Sequence, residues 1–363
     1  MRPATAGLGL LTACGGAPDP NDAPDPVDPI AALVAPGSFG VGYRELEVQY
    51  DESVTGDIRV LRLPVWYPTS DADGTSTTYQ GLFDAPGVWS EATLAEGTFP
   101  LVVFSHGHQG YSEVSGFLMT HFASRGWIVA APEHTGNTSF DSPTRQTEIY
   151  FQRPLDVSAT LDLLTSELTD DPLAGRIDGP MIGIGHSFGG YTLLALGGAT
   201  YDLDTLAPAC ADGSGPEEFC ATWSSDYEAA FSTGFHDPRL DAHIVMAPGD
   251  YPLFADGLAT VDRPVLHLSG GLDPRTPDSD ALFESLVGTD DLRVHIRSGG
   301  HQTFTDYSGI LEDFDGLISA EDGFHIVKAY TTAFAERLLG DNTGDAVLSG
   351  RLEVSEEVEL STH

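Results

Sequence analysis

The 363-residue chain sets 55 Asp and Glu against only 16 Lys and Arg, a formal net charge of −39, and Lys328 is its single lysine. A field of that sign excludes nucleic acid and anionic membrane surfaces as partners and repels strongly acidic substrates. With 41% hydrophobic residues the chain can bury one large core.

Met1-Arg2 precedes a small-residue, apolar stretch that ends Leu10-Leu11-Thr12-Ala13-Cys14-Gly15-Gly16. This stretch is similar to the lipobox of bacterial lipoprotein signal peptides. The similarity implies that residues 1–13 are removed and that Cys14 carries lipid, which places the protein in the cell envelope (outer membrane or periplasm) or outside the cell. An unprocessed cytoplasmic chain with a chance cysteine is the alternative. Residues 14–36, with recurring Asp-Pro, read as a tether too polar and proline-rich to pack.

Residues 37–340 read as one α/β domain. Tyr43 to Tyr50 and Ile58 to Tyr67 alternate with period two, as antiparallel edge strands do. Parallel-type strands follow at 100–105, 127–131, 180–185, 242–247, 264–269 and 291–297, interleaved with helical patterns near 112–124, 153–168, 188–198, 277–287 and 321–338. That alternation predicts a mostly parallel sheet covered on both faces. Residues 201–238 interrupt the rhythm with aromatics and turn formers and are expected to form a lid or substrate wall. Within them Cys210 and Cys220 form either a disulfide, as an exported chain favours, or two buried thiols. The acidic tail, 341–363, either pairs with a sheet edge or hangs free.

The chemistry-bearing pattern begins where the apolar run Met181-Ile182-Gly183-Ile184 stops at Gly185-His186-Ser187-Phe188-Gly189-Gly190 and a helix starts. A serine on a sharp strand-to-helix turn needs small neighbours on both sides, and this spacing predicts a nucleophile elbow at Ser187. Asp273 follows the strand and Gly-Gly turn of residues 264–271, and His301 follows Ser298-Gly299-Gly300. Nucleophile, acid, histidine is the order an open α/β sheet uses for a Ser-His-Asp triad. Asp250, after the strand ending at Ala247, is the alternative acid. The expected oxyanion donors are the backbone N–H groups of Phe188 and of His108, in the loop His106-Gly107-His108-Gln109-Gly110. Zinc at His106, His108 and His186 is disfavoured because no carboxylate or thiol stands at ligand spacing, so neither metal nor cofactor is expected. Arg153 and Asp156, three apart on a helix, read as a local ion pair or cap.

These motifs, with Val65-Trp66-Tyr67-Pro68, Val103-Phe104-Ser105-His106-Gly107, the run Phe122 to His134 and Arg153-Pro154-Leu155-Asp156, resemble the α/β-hydrolases. More narrowly they resemble bacterial relatives of dienelactone hydrolase and the platelet-activating-factor acetylhydrolases, over roughly residues 40–338. The resemblance implies an α/β-hydrolase fold and a serine carboxylic ester hydrolase that works as a monomer, without cofactor, on small-molecule or polymeric esters. Short acyl esters or small lactones are the expected substrates. A polyester hydrolase of the cutinase type and an inactive lipid-anchored binding protein are the alternatives. Two departures matter: those acetylhydrolases take their acid after the strand that here ends near Ala247, and dienelactone hydrolases proper use a cysteine where this chain has Ser187.

Overall fold

The computed structural model of the protein describes residues 28–141, 145–276, 280–312 and 314–363. Residues 1–13, Cys14 and the expected tether up to residue 27 lie outside the described residues.

Eleven strands form one sheet in the order β11-β10-β9-β8-β7-β5-β6-β2-β1-β4-β3. They are β1 (Gly40–Asp51), β2 (Ile58–Thr69), β3 (Ser76–Tyr79), β4 (Phe83–Ser90), β5 (Phe99–Ser105), β6 (Ile128–Ala130), β7 (Ile177–His186), β8 (Ala242–Met246), β9 (Val265–Gly270), β10 (Leu292–Ile296) and β11 (Val358–Thr362). The helices are α1 (Pro29–Val34), α2 (Gly116–Ser124), α3 (Thr147–Asp162), α4 (Phe188–Leu196), α5 (Leu203–Asp212), α6 (Glu217–Cys220), α7 (Ser225–Thr233), α8 (Asp280–Ser285), α9 (Ala320–Leu338) and α10 (Asp345–Leu348). Strands β6, β5, β7, β8, β9 and β10 run parallel. The chain order reverses on either side of β5, which opens a crevice at the carboxyl ends of β5 and β7.

Alternation decides which core each strand residue joins. Leu101 and Val103 of β5 face the layer built with α3 and α4, whereas Val102 and Phe104 face the layer built with α2 and α9. Both faces are therefore buried, which is why β5, β8 and β9 are nearly continuous apolar runs. At the other end β1 and β2 pair antiparallel with Tyr43 opposite Trp66 and Val48 opposite Leu61, as their period-two pattern predicts. The β3–β4 hairpin is an addition that the sequence reading did not contain. It is tied in by Trp66 Nε1, which donates to the Tyr79 hydroxyl at 2.7 Å.

One boundary differs from expectation, the acidic tail takes the edge-pairing alternative, and residues 201–238 close the expected disulfide but turn their aromatics inward. Residues 28–36 are folded and not tether: Asp28 caps α1, Leu33 is buried, and Arg125 donates to the carbonyls of Ala32 and Ala35 at 2.9 and 3.1 Å. Proline in the first turn is compatible with a helix, and Ile30 to Val34 supply the apolar face. The acidic tail also belongs to the domain, since β11 pairs antiparallel with β10 and Val347 and Leu348 are buried. Residues 201–238 form α5–α7, with a Cys210–Cys220 disulfide. Their aromatics face inward: Tyr201, Phe219, Trp223 and Phe231 pack together against α3 through Phe151 and Tyr150.

Two histidines sit inside the sheet without partners. His243 on β8 and His267 on β9 are fully buried, and neither ring nitrogen of either finds a hydrogen bond among the described residues. Burial, with like charge from Arg293 and His295, pushes His267 down to about 3; burial pushes His243 down to about 4. The unfolded chain, with rings near 6.5, therefore binds more protons than the fold between pH 6.5 and those values, and stability falls as pH falls through that window. Urea unfolding from pH 7.5 to 5 is expected to show this loss, and His267→Leu to flatten the slope by up to about 1.4 kcal/mol per pH unit. An unchanged slope in that variant would refute the account.

Candidate active site

The turn between β7 and α4 is set by space. A Cβ on Gly185 would lie 2.2 Å from the Gly189 carbonyl oxygen, and one on Gly189 would lie 1.9 Å from the Ser105 carbonyl oxygen. Glycine alone lets strand, helix and the end of β5 meet there. Between the two glycines Ser187 is forced to φ 55°, ψ −117°, a conformation that costs a non-glycine residue about 1–3 kcal/mol. The surrounding backbone holds it: Ser187 N donates to Met246 O at 2.9 Å, and Gly249 N donates to Ser187 O at 3.1 Å.

Asp273 lies past β9 and His301 past β10, at the same sheet edge. His301 Nδ1 is 2.8 Å from Asp273 Oδ2. The carboxylate also accepts Arg275 N at 2.7 Å, Thr276 N at 3.2 Å and the Thr276 hydroxyl. Burial pushes the Asp273 carboxyl up, but the His301 hydrogen bond and charge, with the Thr276 and Arg275 donors, win and hold it below its ordinary value. Asp250, the alternative acid, is turned elsewhere: Arg145 Nη1 donates to it at 2.6 Å and the Tyr150 hydroxyl at 3.2 Å.

Ser187, His186 and His301 line one cavity of about 610 Å³, whose walls include Gly107, His108, Tyr111, Arg145, Asp250, Arg275 and Tyr307. None of the described residues lining it comes from 201–238, so the expected substrate wall is supplied instead by the loops after β5, β6, β8, β9 and β10. Among the described residues the insertion approaches the cavity through Glu218, which pairs with Arg145.

The two expected oxyanion donors are carried by segments beside Ser187. Phe188 opens α4, so its N–H belongs to the first turn, where no intrahelical acceptor is available. The opposing loop comes close, since a Cβ on Gly107 would lie 3.2 Å from Ser187 Cβ. His108 lines the cavity next to it, with its Nδ1 2.8 Å from Asn137 Nδ2. The three imidazoles considered for zinc have other partners. His106 Nε2 accepts His134 N at 3.1 Å, and its Nδ1 is 2.8 Å from Gly107 O. His186 Nε2 is 2.9 Å from His301 O, and burial pushes that ring down to about 3. Among the described residues no group of three or more His, Cys, Asp or Glu is arranged to hold a metal.

A second Ser–His–Asp arrangement was not foreseen. Ser105 Oγ is 2.9 Å from His134 Nε2, and His134 Nδ1 is 2.9 Å from Asp156 Oδ2, a complete hydrogen-bonded triad of the serine-hydrolase type. Asp156 also accepts the Tyr50 hydroxyl at 2.7 Å and Arg59 Nε at 2.8 Å. The Arg153–Asp156 pair expected from helix spacing is therefore replaced, because Arg59 of β2 occupies the carboxylate. All three residues of this triad are 0% exposed and none lines the cavity. Burial, with the charges of Arg153 and Arg59, drives His134 well below its ordinary value and leaves its ring neutral. Ser105 and His134 are 29 residues apart, and only the pairing of β5 with β6 brings them together.

A family model, platelet-activating factor acetylhydrolase, isoform II, matches residues 54–149. The chain is 28% identical over 196 residues to a bis(hydroxyethyl) terephthalate hydrolase of Streptomyces coelicolor, covering 52% of this chain and 58% of that one. It is 20% identical over 307 residues to the platelet-activating factor acetylhydrolase of Cavia porcellus, covering 72% and 62%. The match thus spans about six tenths of the length of both curated relatives. In fold it is similar to a ferulic acid esterase from Streptomyces cinnamoneus, with a TM-score of 0.62 at 21% identity over 91% of this chain and 99% of that one. Sheet order, elbow and these likenesses agree, and the chain is a member of the α/β-hydrolase superfamily, related to platelet-activating-factor-acetylhydrolase-like and ferulic-acid-esterase-like enzymes.

Proposed function

We propose that the protein is a cofactor-independent serine hydrolase that cleaves carboxylic esters through an acyl-enzyme on Ser187. The observation that carries this reading is Ser187 on a strained elbow, in the wall of the same cavity as His301, whose Nδ1 is 2.8 Å from Asp273. Ser187 Oγ attacks the ester carbonyl while His301 Nε2 takes its proton and delivers it to the departing alcohol. Asp273 keeps the ring in the required tautomer and offsets the imidazolium charge. The N–H groups of Phe188 and His108 receive the oxyanion. Water then repeats the sequence and releases the acid.

The Ser105–His134–Asp156 triad supports a second reading, with Ser105 as nucleophile, because its hydrogen bonds are complete. Its burial argues against that role, since no substrate carbonyl can approach Ser105 without displacing the elbow. Labelling with a fluorophosphonate probe and turnover of short nitrophenyl esters decide between them. Ser187→Ala is expected to abolish both, Asp273→Asn to cost about three to four decades in turnover, and Asp250→Asn to cost far less. Loss of labelling in Ser105→Ala but not in Ser187→Ala would reverse the assignment, and a wild-type protein that neither labels nor turns over would be a binding protein.

On the substrate, the cavity wall supports compact acids, and flat ones above all. Tyr111 stacks on Phe83 with centroids 5.8 Å apart, meets Phe140 at 6.1 Å, and shares a 3.2 Å hydroxyl contact with Tyr307. Such a surface favours an aromatic or short acyl group over a long alkyl chain. The names of the terephthalate hydrolase and the ferulic acid esterase agree with an aromatic acid. In the same assays benzoyl or cinnamoyl esters are expected to outperform palmitoyl esters, and aromatic acid released from polyester film would extend the reading to polymers.

Strain supplies an independent check on Ser187. Glycine adopts φ 55° without penalty, so Ser187→Gly is expected to be more stable than Ser187→Ala by about 1 kcal/mol, read by urea unfolding. Equal stabilities would remove the strain argument.

The reading extends to place. The lipobox-like sequence before Cys14 and the Cys210–Cys220 disulfide support a lipid-anchored protein of the cell envelope. Mass spectrometry of the protein from its host is expected to find a lipidated Cys14 as the first residue; an unprocessed Met1 in a cytoplasmic pool would overturn this.

A further inference from the structure

Arg153 on α3 is 0% exposed, and among the described residues its hydrogen bonds go to neutral groups and to no carboxylate. Asp156, one turn on, is already taken by Arg59, Tyr50 and His134. A buried guanidinium without its own counter-ion is costly, and an apolar side chain of similar volume would avoid that cost. What the guanidinium does instead is bond neutral groups on both sides of the elbow.

On one side Arg153 Nη2 donates to the His106 carbonyl and, at 3.3 Å, to Ser105 Oγ. Nη1 donates to Asn137 Oδ1 at 2.8 Å, and Asn137 Nδ2 lies 2.8 Å from His108 Nδ1. On the other side the guanidinium carbon sits 4.7 Å from the centroid of the Phe188 ring. Nε donates to Thr192 Oγ1 at 3.2 Å, and Thr192 in turn donates to the Phe188 carbonyl at 3.1 Å. One rigid, planar group thus touches the loop that carries His108 and the helix turn that carries Phe188.

We infer that Arg153 is a positioning residue of the oxyanion hole, setting the His108 and Phe188 backbone donors relative to each other through the His106 carbonyl, Asn137, Thr192 and the Phe188 ring. The inference rests on the assignment of Ser187 as nucleophile. Arg153 touches no substrate; it acts by keeping two donors at the spacing that a tetrahedral oxyanion requires before the reaction begins.

Arg153→Lys keeps the charge and loses the fork, Arg153→Met loses both, and Asn137→Ala removes only the arm to His108. The readouts are kcat and KM on a nitrophenyl ester and the inhibition constant of a trifluoromethyl ketone, whose hemiketal oxyanion occupies the hole. Both Arg153 variants are expected to lose about 10- to 100-fold in kcat with KM within about threefold, and to bind the ketone more weakly in proportion. Asn137→Ala is expected to show a smaller loss with the same proportionality, and the pH dependence of kcat to keep its midpoint in all three. Folded variants with wild-type kcat, or a kcat loss with unchanged ketone affinity, would overturn the inference. Should the Arg153 variants not fold, Asn137→Ala carries the test by the same two readouts. A wild-type protein without esterase activity sinks the site assignment itself, whereas an active enzyme indifferent to Arg153→Lys and Asn137→Ala sinks only this inference.

Discussion

Three backbone segments meet around Ser187 with no room for a methyl group between them. The Gly185 Cα faces the Gly189 carbonyl, the Gly189 Cα faces the Ser105 carbonyl, and Gly190 abuts Pro248, where an added Cβ would lie 2.6 Å from the proline ring. That contact fixes how closely β5, β7 and the loop after β8 approach at their carboxyl ends. The strained serine, the helix N-terminus behind it and the donor loop opposite all follow from it. A single added methyl at Gly189 would push β5 and α4 apart and disperse the cavity together with the elbow.

The crowding is compatible with polar chemistry because the side chains beneath it are saturated. Asp156 gathers Arg59, Tyr50 and His134, and Arg153 gathers Asn137, Thr192, Ser105 and the His106 carbonyl. These groups anchor α3 to β2, to β5 and to the elbow, so a layer that would otherwise slide on an apolar surface has a defined register. The strongly negative exterior contributes little to that arrangement, since exposed charges are screened while the buried ones act at contact distance.

Much of this was legible in the sequence because local patterns carried it. The six parallel strands were read within a few residues of where they lie, since each is a short apolar run bounded by turn formers. Ser187, Asp273 and His301 were readable as candidates because each follows a strand end and a Gly-rich turn, and the structure brings Asp273 to His301. What was not legible depended on distant pairing. Arg59 on β2 takes Asp156 from Arg153 across 97 residues, and the aromatic residues of 201–238 turned inward onto α3 although their composition suited a cavity wall. Residues 28–36 misled because Asp19-Pro20 and Asp25-Pro26 run into Asp28-Pro29 and hide the six-residue helix that begins at Pro29.

The two Ser–His–Asp arrangements show what geometry alone leaves undecided. Ser105–His134–Asp156 has the complete set of hydrogen bonds, yet it sits at 0% exposure with a neutral histidine locked between its neighbours. Ser187 and His301 share a cavity wall, with a carboxylate held ionised behind the histidine by its own donors. A nucleophile needs a route for the carbonyl and donors for the oxyanion as well as a base. The proposed assignment to Ser187 rests on its place beside His301 in the cavity wall, at the crevice where strand order reverses. The hydrogen bonds of Ser105, His134 and Asp156 also join the end of β5, the segment after β6 and α3 beneath Ser187.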